Sequence, residues 1–304
     1  MSLPLAVLPP EAPRRAALFG LLAFVGLSWG GAITATKVAT STGHHPFGLI
    51  FWQLSVAVLL LGAIQTLRGG WPRLDRATLG FFAGVAVIGT LAPNFASISA
   101  TAKLPAGVVA TVMAVAPMTS LALAAAMGIE RPGPWRIFGI VLGAVAVAMI
   151  AAPEAALPDP SAAPFVLVAV LAALCYGVES IYVKLRQPGD IDPLEALLGA
   201  SVLGLAALVP VVALVPGVWV AMPGVWGPAE RAVLVNGVLH VGAYWGYLRL
   251  IGQGGPVFAA TVSYAVTAGA ILWGMTLLGE RHSLWIWGAL AVMVAGMSLV
   301  QPRR

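Results

Sequence analysis

Glu179 is the one carboxylate well inside a long apolar run of this chain, and His240 lies near the middle of another. Ionisable groups at such depths are costly unless they are paired, hydrated or protonated. A carboxylate there can bind a substrate amine or carry a coupling proton. The plainer alternative is that its side chain reaches back toward nearby headgroups. An imidazole both donates and accepts hydrogen bonds and suits a proton switch. Its plainer alternative is a bond to a neighbouring tyrosine or asparagine. Tyr176 precedes Glu179 by three residues and Tyr182 follows it by three, so both lie within helical reach.

Polar residues recur at helical spacing in two of the apolar runs. Thr90, Asn94, Ser97 and Thr101 are spaced four, three and four apart. Asn236, His240, Tyr244 and Tyr247 are spaced four, four and three apart. Each set falls on one helix face. An offset of 150 residues pairs Thr90 with His240, Asn94 with Tyr244, and Ser97 with Tyr247. Equivalent stripes of this kind are expected to line a shared central cavity, or else to join helices by hydrogen bonds in a dry bundle. All five tyrosines lie in apolar runs of the second half, and each offers a flat apolar face with a hydroxyl. The expected solute contacts are Asn94, His240, Tyr244 and Tyr247. Trp29, Tyr176, Glu179 and Tyr264 are expected to add walls.

The elements that must position these residues are membrane helices. Sixty per cent of the 304 residues are hydrophobic and 9% are charged, against roughly 25% charged in a soluble domain. Mean hydropathy is +0.96. Ten apolar runs are each about 20 residues long, enough to cross a bilayer as a helix. These spans 1 to 10 are predicted at roughly 17–38, 47–67, 77–99, 105–128, 134–152, 163–184, 194–216, 231–251, 256–278 and 284–301. The first is too long for a signal-peptide core and nine more follow, so it is expected to be retained. With the N-terminus in the cytoplasm, twelve Lys and Arg residues lie inside and four outside. That bias places both termini in the cytoplasm. Trp71, Trp135, Trp219, Trp226, Trp285 and Trp287 fall near span ends and read as interfacial anchors.

The chain is also duplicated. Trp29-Gly30 is followed by Lys37, and Tyr176-Gly177 by Lys184, at an offset of 147. Glu130-Arg131 and Glu280-Arg281 follow apolar runs at an offset of 150. Five spans per half is an odd number, so the second half enters from the opposite face. The expected architecture is an all-α polytopic bundle of two inverted repeats, with pseudo-two-fold symmetry in the membrane plane. Its boundaries are a cytoplasmic tail over 1–16, repeats over 17–152 and 164–301, and an external proline-rich linker over 153–163. Glycines four apart at Gly26/Gly30, Gly139/Gly143 and Gly242/Gly246 permit close helix approach within the chain.

These landmarks resemble the EamA-type transporters of the drug/metabolite transporter superfamily. The matching residues are Ser28-Trp29-Gly30 with Lys37, then Pro117 ahead of Glu130-Arg131, and Gly139 and Gly143. In the second half they are Tyr176-Gly177 with Lys184, and Leu278-Gly279-Glu280-Arg281 with Gly288 and Gly296. The resemblance covers about 17–301. It implies ten helices in two inverted repeats and transport of small metabolites, commonly amino acids and related compounds. One departure is Thr267, where the family commonly has a span 9 proline equivalent to Pro117; span 9 is therefore expected to be straighter than span 4.

Much is excluded. No phosphate-binding loop, H-E-x-x-H zinc motif or G-x-S-x-G elbow is present. The lone Cys175 cannot form an intramolecular disulfide, and His44-His45 is weak ground for a metal. Net charge of +5 is ascribed to membrane orientation rather than nucleic acid. The expectation is a secondary transporter in the inner cell membrane, not an enzyme, without cofactor or metal. It works among membrane lipid on a small-molecule solute, as a monomer, by alternating access, in the direction of export. The alternative is a lipid flippase, or a multidrug exporter of the same fold.

Overall fold

The computed structural model describes residues 15–40, 45–71, 73–101, 103, 112–113, 115–151, 163–189, 191–218, 226–279 and 284–300. The tail at 1–14, His44, Trp219, Glu280-Arg281 and the linker up to residue 162 lie outside them. Ala163, placed in the linker by sequence, begins a helix.

The described residues form helices and turns, with no strand. Span 1 is α1 (Arg15–Thr40) and span 2 is α2 (Pro46–Arg68). Span 3 begins as α3 (Arg76–Gly84), passes through a π-helical turn at Val85–Leu91, and ends as α4 (Ala92–Thr101). Spans 4 to 8 are α5 (Val115–Ala126), α6 (Pro134–Ala151), α7 (Ala163–Arg186), α8 (Pro193–Leu214) and α9 (Pro228–Gly254). Span 9 is broken into α10 (Pro256–Ala260) and α11 (Val262–Leu278), and span 10 is α12 (Leu284–Leu299). A turn at Thr261 interrupts span 9, which was expected to be straighter than span 4 because it lacks a proline at Thr267.

Six described helices are long and apolar enough to cross a membrane, and three shorter apolar ones accompany them. Span 8 is long but less apolar, because it carries the second polar stripe. Starts are set by local chemistry. His45 Nδ1 accepts the Phe47 N–H at 3.2 Å ahead of Pro46, and Asp192 Oδ1 accepts the Leu194 N–H at 3.0 Å ahead of Pro193. Asp75 likewise accepts the Thr78 N–H at 2.8 Å, which holds its carboxyl below the usual aspartate range. Each cap satisfies an orphan donor of a first turn. His45 and Asp192 are equivalent under the 147-residue offset.

Packing repeats the duplication. Span 1 packs on spans 8 and 9, and span 6 packs on spans 3 and 4. Span 2 faces span 7, and span 5 faces span 10. Exchanging the halves maps this pattern onto itself. The close approaches obey the same exchange: Gly30 lies against Gly269, and its equivalent Gly177 lies against Thr119. Gly139 and Gly296 abut across spans 5 and 10, where neither leaves room for a Cβ.

The core is lopsided along the helix axes. The largest buried cluster joins Leu18, Leu22, Phe81, Phe82, Ile181, Leu197, Leu248, Leu250 and Phe258, with others near them. All lie toward the end of the bundle that carries Arg15. Tyr182 closes over this end, its hydroxyl donating to the Gly80 carbonyl at 3.1 Å while its ring stacks on Phe81. Toward the opposite end the described core divides. One group joins spans 1, 2 and 8 through Ala35, Leu49 and Val233, and another joins spans 3, 4 and 6 through Ala100 and Ala169. The exposed rings of Trp71, Trp135, Trp226 and Trp287 suit the interfacial anchoring expected of them.

Candidate functional site

The two polar stripes meet the repeated aromatic–glycine motifs. Trp29 of span 1 donates its indole N–H to His240 Nδ1 of span 8 at 3.4 Å. Its ring lies edge-on to Tyr244 at 6.0 Å and tilts on Tyr247 at 5.3 Å. Across the site, Tyr176 of span 6 donates to Asn94 Oδ1 of span 3 at 3.3 Å. Trp29 and Tyr176 are equivalent by the offset, and so are Tyr244 and Asn94. The two contacts are one contact made twice with different side chains.

Glu179 ties these two contacts together. Its carboxylate is fully buried, and its Oε1 accepts the Tyr244 hydroxyl across spans 6 and 8. On the span 3 side it rests over Gly89, where any Cβ would run into both the carboxylate and the Tyr244 hydroxyl. Gly89 lies in the π-helical turn. Such turns insert a residue into the helix and often mark functional sites. Beside Glu179, Ser180 shares a 2.8 Å hydrogen bond with Ser120 of span 4.

Three polar atoms of the cluster are buried with no protein partner among the described residues: Glu179 Oε2, His240 Nε2 and Asn94 Nδ2. Since His240 Nδ1 accepts from Trp29, the neutral ring carries its proton on Nε2. The site thus offers one carboxylate oxygen and two N–H donors among aromatic walls. Buried polar groups normally find partners, and among the described residues this trio has none.

Seven of the eight residues expected at the site stand together: Trp29, Asn94, Tyr176, Glu179, His240, Tyr244 and Tyr247. Tyr264 does not join them. It is buried between spans 5, 9 and 10, packs over Gly143, and donates to the Ile140 carbonyl at 3.0 Å. That carbonyl bond and the close glycine give it a framework role. Asn236 also stands apart, donating to the Ala32 carbonyl at 3.0 Å and to Thr36 at 2.7 Å. Tyr182, placed near Glu179 by spacing, turns instead toward the Arg15 end. Sequence reasoning missed Gly89 and Ser120. Gly89 had a signal in its place next to Thr90 on the first stripe; Ser120 had none.

Known proteins share the sequence pattern and the fold. Residues 15–152 and 163–301 each match the EamA-like transporter family. The chain is 24% identical over 291 residues to a protein named uncharacterized inner membrane transporter YedA, from Escherichia coli (strain K12). That alignment covers 93% of this chain and 90% of the relative, with the same values for the Escherichia coli O157:H7 protein. A solved structure described only as "Crystal structure of protein" superposes with a TM-score of 0.72 at 19% identity. It covers 94% of this chain and 96% of that one, and shows the fold. With both repeats matched and the helices arranged as a duplicated bundle, the chain belongs to the EamA-like transporter family and is a multi-pass membrane protein.

Proposed function

We propose that this protein is a secondary transporter of the inner membrane that exports small amphipathic metabolites, amino acids or their relatives. It has ten spans in two inverted repeats, with both termini in the cytoplasm. The solute binds near the midplane between spans 1, 3, 6 and 8. The two halves rock so that the site faces one side at a time, with no hydrolysis and no chemical change to the solute.

The observation that carries this reading is the meeting of both repeats at one buried aromatic and polar cluster. Trp29 and His240 come from spans 1 and 8, Tyr176 and Asn94 from spans 6 and 3. A symmetric cluster at the junction is what alternating access requires, since exchanging the halves leaves the site in place. The lopsided core supports it as well. In the described conformation the cluster is sealed from the Arg15 end by Phe81, Phe82, Tyr182 and Leu248. Read with the N-terminus inside, that is the cytoplasmic end.

The test is solute flux in proteoliposomes of inert lipid, without ATP. Flux of a soluble metabolite is expected, falling roughly 10-fold or more in His240→Ala and Glu179→Gln. If both variants fold normally and transport like the parent, the cluster is structural. Cysteines at Ser161 and Arg304 should label from opposite faces; labelling from one face overturns the topology.

A further inference from the structure

Glu179 is a fully buried acid whose second oxygen has no partner among the described residues, and no basic side chain among them pairs with it. The ionisable groups that face it are Cys175 and Tyr176 on its own span and Tyr244 and Tyr247 on span 8. His240 stands beyond Tyr244, with ring centroids 5.5 Å apart. Span 3 meets it with Gly89 and carries no ionisable residue from Val85 to Thr101; span 4 carries none from Val115 to Ala126. An uncompensated carboxylate at this depth is expensive. Either a proton or a bound cation must neutralise it.

The walls choose the cation. Trp29, Tyr244 and Tyr247 meet one another edge-on or tilted at 5.3 to 6.1 Å. Aromatic rings grouped in this way attract an organic ammonium, whose apolar body they also cover. A hydrated metal ion would instead need several oxygen ligands, and one carboxylate oxygen does not supply them. The unpaired N–H donors of His240 and Asn94 suit a carbonyl or carboxylate elsewhere on the same solute.

Resting on the transporter reading, we infer that Glu179 is an exchange site for which a solute's ammonium group and a proton compete, so that the substrates are organic amines, amino acids included. The exchange balances. The protonated acid gives up its proton as the ammonium arrives and forms its ion pair. When the ammonium leaves, a proton returns to the carboxylate. No bond of the solute is made or broken, and the charge within the site is the same in both states.

Three probes with one aromatic body separate the charges: phenylethylamine, phenylalanine and phenylpropionate. The full-length chain in nanodiscs is titrated with each in weakly buffered solution containing a pH dye. Phenylethylamine and phenylalanine should bind and release a proton per molecule bound. Their affinity should weaken on acidification, approaching about tenfold for each pH unit. Phenylpropionate should not compete. Glu179→Gln should bind the amines at least about tenfold more weakly and release no proton. Amine binding without proton release, or tight binding of phenylpropionate, overturns the inference. Because the parent protein gives both readouts, a misfolded variant does not decide the matter. Efflux from liposomes loaded with a metabolite extract tests the underlying reading separately. Efflux only of solutes without an amino group, unchanged by Glu179→Gln, overturns the amine site and leaves the transporter. No efflux of any solute overturns both.

Discussion

Where span 6 meets span 3, span 6 carries a large acid, and span 3 makes room for it with Gly89. Where span 1 meets span 8 the sizes are reversed. Span 1 carries Ala32 at the position of Glu179 under the 147-residue offset, and span 8 carries Leu239 at the position of Gly89 under the 150-residue offset. Leu239 lies beside Gly31, one residue before Ala32. The helix pairing is duplicated while the side chains differ. One copy holds an apolar side chain and the other a carboxylate beneath a tyrosine. Duplication supplies the scaffold and its symmetry; departure from symmetry supplies the chemistry. A similar contrast separates Trp29 with His240 and Tyr244 from Tyr176 with Asn94.

The largest effect is expected where the first half holds a framework pair that the second half cannot copy. Glu130 is buried and paired with Arg136 at 2.5 Å in the turn between spans 4 and 5. The position equivalent to Arg136 is Ile286. Removing one partner of a buried ion pair costs about 3–5 kcal/mol, whereas removing both costs far less. Glu130→Ala should therefore lower the melting temperature in detergent sharply, and Glu130→Leu with Arg136→Leu should recover most of the loss. Equal losses in the single and double variants would show that the pair is not what holds the turn.

The next effect bears on the two glycines. Gly89→Ala forces a methyl group into Glu179 and Tyr244, and overpacking of this kind costs about 1–3 kcal/mol. It should also displace the acid and depress flux. Gly31→Ala meets only the tip of Leu239, at 3.1 Å, and the indole of Trp273, at 3.2 Å. Those groups can yield, so stability and flux should change little. Equal sensitivity at the two glycines would mean that the asymmetry has no bearing on transport.

Much of this was legible before any coordinates. Apolar length gave most of the helices, and the 147-residue offset gave the pairing of Trp29 with Tyr176. Stripe spacing brought His240 and Tyr244 to the centre. What was hidden is the part that spacing does not encode. Tyr182 and Tyr176 both lie three residues from Glu179, and only a neighbouring helix decides which way each turns. Tyr182 turns away because Gly84, having no Cβ, admits its ring and hydroxyl. Tyr264 looked like a pocket wall by its type, yet Gly143 on span 5 admits its ring and the Ile140 carbonyl takes its hydroxyl. The π-helical turn left no mark in composition, since Val85–Leu91 reads like any apolar run.

A smaller effect is expected at Asn236, whose equivalent in span 3 is the apolar Ala86. Its amide clamps span 1 through Ala32 and Thr36. The Ala32 carbonyl also accepts the Thr36 hydroxyl at 2.9 Å, so losing the amide does not strand it. Interhelical hydrogen bonds in membranes are worth about 1 kcal/mol. Asn236→Leu should cost that much in thermal unfolding while leaving flux intact. A large flux defect at normal stability would move Asn236 into the transport path.

The smallest effect tests the comparison at its least conspicuous point, the caps of spans 2 and 7. His45 and Asp192 occupy equivalent positions, each ahead of a proline, and each accepts the N–H two residues on. Their surroundings differ. Asp192 also pairs with Arg68 at 3.1 Å and shares a capping box with Glu195, which itself takes a bond from Gln65. Among the described residues, His45 adds only a tilted contact with the Phe47 ring. Loss of a cap costs about 0.5–2 kcal/mol, and His45→Ala should fall at the low end because nothing else depends on the ring. Asp192→Ala should cost more, since the Arg68 pair goes with the cap. His45→Asp keeps an acceptor in reach of the Phe47 N–H and places an anion at a helix start, where it is favoured. It should therefore restore the stability that His45→Ala loses. Melting curves in one detergent rank the three, and an Asp at position 45 no better than an Ala would show that the first-half residue is a turn filler rather than a cap.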